Sequence, residues 1–390
     1  MRDLLVIGGG PAGLATAICA ARAGLSVTVV ERQRGDIDKA CGEGLMPAGL
    51  RALERLGALE GLDRRRCAPF RGILYTQAGG PEARARFTRG DGLGVRRVAL
   101  SEALLARAGT LPSIEIVRGA ASGLEVLADH VRARVSEREV TASLLVGADG
   151  LQSQVRKLAG LEGRPHPRLR RHGLRRHFAC APWSEFVEVH WAAGVECYVT
   201  PVGERVVNVA FLWDAPLGHL SHDFASARAA QHPQHLSHDF ESVKVSFNEL
   251  IARFPSVQEH LQSAEVTSES RGAGPLLRPA LARAKGRVAL VGDAAGYVDA
   301  ITGQGLSLAF MSAERLAEQL APLSRPFDAR VLSDALGRYH RSLRRAWLRY
   351  ALPAQALLGI ARRPRLRSAM LGLVARAPSL FSRLVEDFAG

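Results

Sequence analysis

Cysteine is scarce in this 390-residue chain, and its arrangement excludes a disulfide-stabilised fold. None of the cysteines belongs to a CxxC pair, and they form no even framework: Cys19, Cys41, Cys67, Cys180 and Cys197. Proteins of oxidising compartments use cysteines in pairs. We therefore expect free thiols in a reducing compartment.

Long apolar runs and a leader are also missing. The longest strictly apolar stretches have about ten residues, whereas a helix needs roughly 20 to cross a bilayer. Met1 is followed at once by an apolar strand, without the regions of a signal peptide. With 47% apolar and 23% charged residues, the composition predicts a soluble, cytoplasmic globular protein.

Lysine occurs only at Lys39, Lys157, Lys244 and Lys285, so arginine carries most of the net charge of +14. No basic run alternates with aromatic residues that could stack on bases, and we do not expect nucleic-acid binding. The positive charge suits an anionic cofactor and an anionic or membrane-held substrate better.

The first 31 residues contain a dinucleotide-binding fingerprint. Residues 4–7 form an apolar run of strand length, and residues 11–23 have small and apolar side chains at helical spacing. Residues 26–30 have the alternating pattern of a strand, which leads to Glu31. The turn between the first strand and the helix reads GxGxxG, at Gly8–Gly13. This pattern predicts a fold that binds a dinucleotide.

Each glycine of this turn has a physical role. Gly8 allows the tight turn, Gly10 lets the backbone approach a pyrophosphate, and Gly13 lets the helix lie close to the strand. The helix N-terminus offers free N–H groups and the positive end of its dipole to phosphates. Glu31, at the end of the next strand, is placed to accept hydrogen bonds from ribose hydroxyls.

Two more glycine–acid turns follow apolar strands. In GDAAGYVDAITGQG, at 292–305, Asp293 is placed to bind a ribityl hydroxyl, and the turn at 303–305 opens a helix facing the flavin pyrimidine. In GADGLQSQVR, at 147–156, Asp149 ends another strand. Packing alone does not account for three such turns, and they indicate FAD.

The remaining segments indicate a discontinuous organisation. The patterns predict helices at 47–60, at 100–109 with Ser101 as N-cap, and at 303–319. They also predict a β-meander at 123–148 and strands in FVEVHWA, ECYVTPV and ERVVNVAFLW. We expect an FAD-binding domain from residues 1–165 and 283–335, an inserted β-sheet substrate domain at 166–282, and a helical C-terminal segment at 336–390.

HLSHDF occurs twice, at 219–224 and 235–240, around further histidines. Imidazole and carboxylate groups suit zinc or iron. No HExxH-type helix accompanies the repeat, so a duplicated surface loop is favoured, and no metal site is predicted.

The three motifs, in this order and spacing, resemble those of the FAD-dependent aromatic hydroxylase (class A flavin monooxygenase) superfamily. That superfamily also contains geranylgeranyl reductases and flavin halogenases. GxGxxG matches the FAD pyrophosphate motif, GADGLQSQVR resembles the DG motif serving FAD and the nicotinamide cofactor, and GDAAG resembles the GD motif. Arg97 is similar to an arginine that reaches toward the FAD phosphates, and Ala121 lies where the family contacts adenine.

The resemblance implies an α/β, Rossmann-type (GR2-like) FAD-binding fold with an inserted antiparallel substrate sheet and a helical tail. This sequence departs from the family at Ala300, where proline is usual, and at Ser307, where asparagine is common. The predicted cofactor-binding residues are Gly8, Gly10, Pro11, Ala12, Gly13, Glu31, Arg32, Arg97, Ala121, Asp149, Gly292, Asp293, Gly303, Gln304, Gly305 and Leu306.

The candidate catalytic residues each have an alternative explanation. Cys41 and Glu43 belong to CGEGLMPAG, in the segment that passes the flavin in this superfamily. Cys41 is either a thiol touching substrate or flavin or a small packed residue, and Glu43 either an acid near the flavin or a solvated loop charge. Tyr198 is a candidate for the substrate cavity, although core packing is favoured for it and for Trp191. Core packing is likewise favoured for His177 and His190.

The leading functional hypothesis is an NADPH- or NADH-dependent monooxygenase that hydroxylates or epoxidises a hydrophobic, aromatic or polyketide-like small molecule. The alternative is a reductase of prenyl or polyene double bonds, and halogenation is third. A non-enzymatic flavin-binding role completes the alternatives. The arginine-rich tail is a candidate for peripheral membrane contact or a lid, although packing against the FAD domain is favoured.

Overall fold

A computed structural model describes residues 1–35, 37–164, 170–214, 219–220 and 244–389. The fold is mixed α/β. Its strands are β1 Arg2–Ile7, β2 Val27–Glu31, β3 Gly44–Leu45, β4 Cys67–Phe70, β5 Gly72–Gln77, β6 Ala83–Arg86, β7 Gly92–Val95, β8 Ile114–Arg118, β9 Ala121–Val126, β10 Val131–Val135, β11 Arg138–Gly147, β12 Arg171–Ala179, β13 Val187–Ala192, β14 Val195–Gly203, β15 Val206–Asp214, β16 His219–Leu220, β17 Lys244–Val245, β18 Glu265–Val266, β19 Arg271–Ala273, β20 Ala284–Lys285 and β21 Val288–Leu290.

Ten α-helices lie within the described residues. They are α1 Pro11–Arg22, α2 Pro47–Arg55, α3 Arg97–Gly109, α4 Gln154–Leu158, α5 Phe247–Ile251, α6 Pro255–His260, α7 Gly305–Leu320, α8 Ala329–Ala361, α9 Pro364–Ala375 and α10 Pro378–Ala389.

The first sheet is the parallel sheet that the glycine motifs require. Five parallel strands lie in the order β8–β2–β1–β11–β21. In addition, β10 pairs antiparallel with β11, and β9 pairs antiparallel with β10. Leu4, Leu5 and Val6 are fully buried, as expected for a strand covered on both faces. The Rossmann-type arrangement therefore brings the carboxyl ends of β1, β2, β11 and β21 to one edge.

The second sheet is largely antiparallel and has the order β18–β12–β15–β14–β13–β5–β6, with β19 beside β12. The strands expected at 186–213 form its centre. Its β5 and β6 come from residues 72–86, and β5 pairs in parallel with β13. The second sheet thus draws on chain that the sequence analysis assigned to the FAD-binding domain. The division into domains itself stays a prediction.

The sequence prediction for helix α3 is wrong at its start. The helix begins at Arg97, and Ser101 is not its N-cap but lies inside it, with Oγ donating to the Arg97 carbonyl at 3.0 Å. The Glu43 carboxylate accepts a hydrogen bond from the Arg97 N–H at 2.8 Å. A side chain distant in sequence thus accepts a hydrogen bond from a free N–H group of the first turn, and no local sequence pattern could reveal this contact.

The last three helices pack against both sheets. In α8 the hydroxyls of Tyr339 and Tyr350 donate to the carbonyls of Leu290 and Asp299, at 2.6 and 2.5 Å. In α10 the Glu386 carboxylate accepts hydrogen bonds from residues after β6. Among the described residues, no helix is both long and apolar enough to cross a membrane. The HLSHDF repeats, apart from the backbone of 219–220, lie outside the described residues.

Candidate cofactor and active site

The glycine turn after β1 leaves room for a phosphate group. Gly8 has φ +108°, and a Cβ there would lie 2.4 Å from the Ala148 carbonyl oxygen. A Cβ on Gly13 would lie 1.8 Å from the Gly8 carbonyl oxygen, whereas a Cβ on Gly10 would meet no atom within 4 Å. Gly8 and Gly13 therefore allow close packing, and the space at Gly10 is open.

Helix α1 starts at this open space. Pro11 and Ala12 form its first turn, and no side chain caps it. Its first N–H groups and the positive end of its dipole are therefore free for an anion. A dinucleotide pyrophosphate fits these properties.

Glu31 is held at the end of β2. Its two carboxylate oxygens accept the N–H groups of Gly9 at 2.8 Å and Gln33 at 2.7 Å. The N–H of Gly119 donates to the Glu31 carbonyl, so the start of β9, with Ala121, lies at the same end of the sheet. Arg32 follows Glu31 and is exposed. The acid expected to bind ribose and the residue expected beside adenine are thus brought together.

The GD turn approaches α1 closely. Gly292 has φ +55°, and a Cβ there would lie 2.6 Å from the Ala12 Cβ. Burial raises the pKa of the neighbouring Asp293, while the positive charges of Lys39, Arg97 and Arg156 lower it. The Asp293 carboxyl accepts no hydrogen bond from the described residues, so it is available for a hydroxyl of a ligand.

Lys39 is a site residue that sequence analysis missed. Its charge interacts with Glu31, Asp293 and Arg97, and burial lowers its pKa. Many protein atoms lie near its side chain, but the side chain still contacts solvent, as expected for a group in an open cleft. The one feature of the sequence that could have indicated Lys39 is that it is a lysine in an arginine-rich chain.

A second helix N-terminus faces the same cleft. Helix α7 begins at Gly305, directly after Gly303 with φ +66°, and Gln304 provides no side-chain cap. The Ser307 Oγ is buried without a hydrogen-bond partner among the described residues, and Leu306 packs on the cluster between α1 and α3. The free N–H groups at this end suit the negative charge of a reduced flavin ring.

Asp149 is bound within its own turn. Its carboxylate accepts the Ser153 hydroxyl at 2.5 Å and the N–H groups of Gln154 and Val155 at 2.7 and 3.2 Å. The fully buried Arg156 donates to the Ala294 carbonyl at 3.1 Å, joining the DG turn to the GD turn. Asp149 therefore shapes the site, and its contact with the cofactor stays a prediction.

The donor set as a whole fits FAD. Glu31 would hold the ribose, the turn at Gly10 the pyrophosphate, and Asp293 the ribityl chain. Arg97 lies at the start of α3 with a buried Nε that has no partner among the described residues, which suits a guanidinium awaiting a phosphate or hydroxyl acceptor.

The loop that carries Cys41 is fastened to the second sheet. The Asn208 side chain donates to the Cys41 carbonyl at 2.9 Å, and Cys41 Sγ accepts the Glu43 N–H at 3.3 Å. Burial raises the pKa of the thiol, although Arg97 lowers it. Cys41 is partly exposed, and the raised pKa favours the protonated form of the thiol.

Glu43 is buried and strained. It is 1% exposed and has φ +60°, which costs a non-glycine residue of the order of 1 kcal/mol. One carboxylate oxygen accepts the Arg97 N–H and the other contacts His177 Nε2 at 2.5 Å. A solvated loop charge does not fit this position. Its proposed role as an acid stays a prediction.

His177 is fully buried behind Glu43. Its Nδ1 lies 2.8 Å from the Ser268 hydroxyl, which can donate or accept, and 3.1 Å from the Arg175 guanidinium, which only donates. The Arg175 contact is satisfied when the hydrogen of the neutral ring is on Nε2, where Glu43 accepts it. Burial lowers the pKa of His177, with Glu43 acting in the opposite direction. The ring is a satisfied core histidine, as expected, but its partner lies 134 residues away.

Tyr198 belongs to a second polar network. Its hydroxyl donates to Glu196 at 2.7 Å, Arg171 pairs with Glu196 at 3.0 Å, and Arg171 pairs with Asp299 at 2.6 Å. Asp299 lies in the loop before α7. The structure shows no contact between this network and Cys41 or Glu43 among the described residues.

An apolar cluster lies beside the cleft. It joins side chains from the segment after β3 and from the loop before α7 to the second sheet and the tail helices: Met46, Ile301, Phe70, Val187, Val189, Trp191, Ala354 and Leu371. Trp191 is 2% exposed, and its ring is 5.1 Å from that of Tyr75, in agreement with a core position.

The chain was compared with known families and proteins. The model of the family described as FAD binding domain matches residues 1–340. The chain is similar to 6-methylpretetramide 4-monooxygenase of Streptomyces rimosus, with 37% identity over 171 residues, 41% of each chain. It is similar to a menaquinone reductase of Mycolicibacterium smegmatis, with 51% identity over 63 residues, 16% of this chain and 15% of that one. The matches thus cover less than half of these two relatives.

A solved structure shows the same fold over the full length. The flavin-dependent brominase Bmp2 superposes with a TM-score of 0.74 at 16% identity, covering 99% of this chain and 98% of that chain. At this identity the likeness concerns the fold alone.

Proposed function

The chain belongs to the FAD binding domain family, within the superfamily of FAD-dependent monooxygenases, reductases and halogenases, and from this premise we propose that it is an NAD(P)H-using monooxygenase. It is an FAD-dependent oxidoreductase. The proposed substrate is a hydrophobic, aromatic or polyketide-like small molecule. The supporting similarity is the 37% identity to 6-methylpretetramide 4-monooxygenase.

The apolar cluster carries the structural side of this proposal. Met46 and Ile301 belong to the loops on either side of the flavin position, and both pack into the cluster with Trp191 and the tail. Bound FAD supplies the redox chemistry, with electrons from NADPH or NADH and oxygen as the oxidant. The chain supplies a wall that excludes water and accepts an apolar substrate.

The polar residues would position the reacting groups. The free N-terminus of α7 stabilises negative charge on the pyrimidine end of the ring. The Glu43–His177 pair holds the Cys41 loop against the second sheet, with Asn208 as the other attachment. The substrate would thus meet the ring beside a loop that buried hydrogen bonds keep in place.

One observation favours a second function, the reduction of a prenyl or polyene double bond. Cys41 is partly exposed, and burial raises the pKa of its thiol, so the thiol would carry a proton for a carbon that accepts hydride. The 51% identity to part of a menaquinone reductase agrees with this alternative.

An anaerobic experiment separates the two functions. FAD-loaded protein is reduced chemically without oxygen and mixed with aromatic, polyketide and prenyl compounds. For a monooxygenase the substrate stays unchanged, and in air it stimulates NAD(P)H consumption together with oxygen uptake. An anaerobic product heavier by two hydrogens would overturn the proposal in favour of reduction.

Cys41→Ser provides an independent test. A monooxygenase that uses this loop for backbone shape should keep most of its activity, because serine is nearly isosteric. A reductase that uses the thiol as proton donor should lose about a hundredfold or more. Ala40→Ser, at the residue directly before Cys41 in the same loop, serves as a control for the added hydroxyl.

A further inference from the structure

We propose that the cleft between α7 and α8 is a binding site for a phosphate-bearing ligand, separate from the FAD site. The cleft has a volume of about 410 Å³, which lies within the range of ligand sites. Five arginines and Gln319 form most of its lining: Arg315, Arg338, Arg341, Arg345 and Arg349. None of them belongs to the motifs that hold the cofactor.

The helix geometry gathers these charges on one face. Arg338, Arg341, Arg345 and Arg349 follow each other in α8 at spacings of three, four and four residues, which places them in one row along the helix. Like charges at these spacings repel and destabilise a helix. An anion bound along the row would remove that repulsion.

No carboxylate neutralises the row within the described part of the chain. The described ion pairs include none of these five arginines, although Arg55 pairs with Glu314 on the neighbouring helix at 2.9 Å. Arg315 donates to Ser342 and Arg338 to Gln319, at 2.9 and 2.8 Å, and both arginines are thereby positioned. Arg341, Arg345 and Arg349 form no hydrogen bond with described residues and have their guanidinium groups free.

Phosphate is the anion that this arrangement suits. Guanidinium groups bind phosphate oxygens through two parallel N–H donors, and several arginines in a row match a group with more than one negative charge. The phosphate has two sources, a soluble phosphorylated molecule or a phospholipid head group. Leu352, three residues after Arg349, continues the row and is 63% exposed, which a lipid surface would cover.

The arginine cleft is separate from the cofactor site, although helices α7 and α8 contribute residues to both. Arg315 lies ten residues after Gly305, so about 15 Å of α7 separates it from the helix end at the flavin position. On another face of α8, Trp347 and Tyr350 line a small pocket beside Asp293. A ligand in the arginine cleft would therefore leave the cofactor contacts unchanged.

The test uses a charge-removing variant and a matched control. The cleft variant is Arg341→Gln/Arg345→Gln/Arg349→Gln. The control, Arg134→Gln/Arg205→Gln/Arg376→Gln, removes the same charge from exposed arginines of other elements. All proteins are loaded with FAD, which fills the cofactor's own phosphate site. Circular dichroism and bound flavin verify folding, and Arg345→Gln alone replaces the triple variant if that fails to fold.

Two probes distinguish the sources of phosphate. Pyrophosphate binding is measured by calorimetry, and vesicle binding by cosedimentation with phosphatidylglycerol or phosphatidylcholine. We expect the cleft variant to lose about tenfold or more in affinity for one anionic probe and the control less than about twofold, because specific charge-assisted contacts are lost only in the cleft. Pyrophosphate loss identifies a soluble ligand, and loss for phosphatidylglycerol vesicles alone identifies a lipid. Equal loss in both variants, or no binding by the parent protein, overturns the proposal.

Discussion

The buried Glu43–His177 pair makes Glu43→Gln the most informative substitution. Each carboxylate oxygen of Glu43 faces a different donor, the Arg97 N–H at 2.8 Å and the His177 Nε2–H at 2.5 Å. Glutamine keeps the shape but has one oxygen and one NH2 group. Whichever way the amide turns, one buried donor then faces another donor.

A change of tautomer at His177 moves this conflict and does not remove it. The Ser268 hydroxyl, 2.8 Å from Nδ1, could accept a hydrogen from that nitrogen, but the Arg175 guanidinium at 3.1 Å from Nδ1 would then lose its acceptor. An unsatisfied buried donor costs about 1–3 kcal/mol, and loss of a hydrogen bond to a charged group costs a similar amount. We therefore expect Glu43→Gln to lower the free energy of unfolding by about 3 kcal/mol.

Glu188→Gln is the matched control. Glu188 is also buried, but His190 Nε2 and Trp183 Nε1 both approach the same oxygen, at 2.8 and 3.2 Å. A glutamine oxygen can accept both, so the expected loss is below about 1 kcal/mol. Both variants remove one carboxylate from the second sheet's surroundings.

Urea unfolding of the FAD-free proteins measures both losses, and FAD titration then shows the effect on the site. Glu43→Gln should also weaken FAD binding, because Glu43 holds the first turn of α3, where Arg97 lies. Equal unfolding midpoints for the two variants would refute the hydrogen-bond arrangement deduced for Glu43.

Three further outcomes are expected. Asp293→Ala should weaken FAD binding about tenfold or more in a fluorescence titration, since one hydrogen bond to a charged group is lost; an unchanged affinity would contradict its placement. Asp149→Ala should cost about 1 kcal/mol in urea unfolding, because the first two N–H groups of α4 lose their carboxylate acceptor, with a smaller effect on FAD affinity than Asp293→Ala. Burial lowers the pKa of His177 in the folded state, so the unfolded chain binds more protons, and stability should fall as pH drops below about 6.5, by up to about 1.4 kcal/mol per unit. His177→Gln should flatten this dependence; an unaltered slope would assign it to other groups.

The cofactor site could be predicted from the sequence because its elements are local. A tight turn, an approaching helix and an acid at a strand end lie within the 24 residues from Gly8 to Glu31. The physical demands on each glycine arise from its immediate neighbours. The family match over residues 1–340 agrees with that analysis.

Sequence analysis found less of the active-site loop. Cys41 and Glu43 stood out by their place in the segment that passes the flavin in the superfamily, and their alternatives stayed open. Glu43 contacts His177 across 134 residues, and the largely basic sequence of β12, RHGLRRHFA, contains no signal of that contact. The start of α3 was misplaced for the same reason, because Glu43 satisfies its first turn from a distance.

By itself, the sequence determined the Rossmann-type half of the molecule and its cofactor, since strand length, turn geometry and helix start are set by residues close together along the chain. Tertiary structure alone decided which side chains come together: Glu43 with His177, and the arginine row of α8 with Arg315 and Gln319 of α7. These contacts depend on sheet order and helix rotation, and both result from burying the whole core at once.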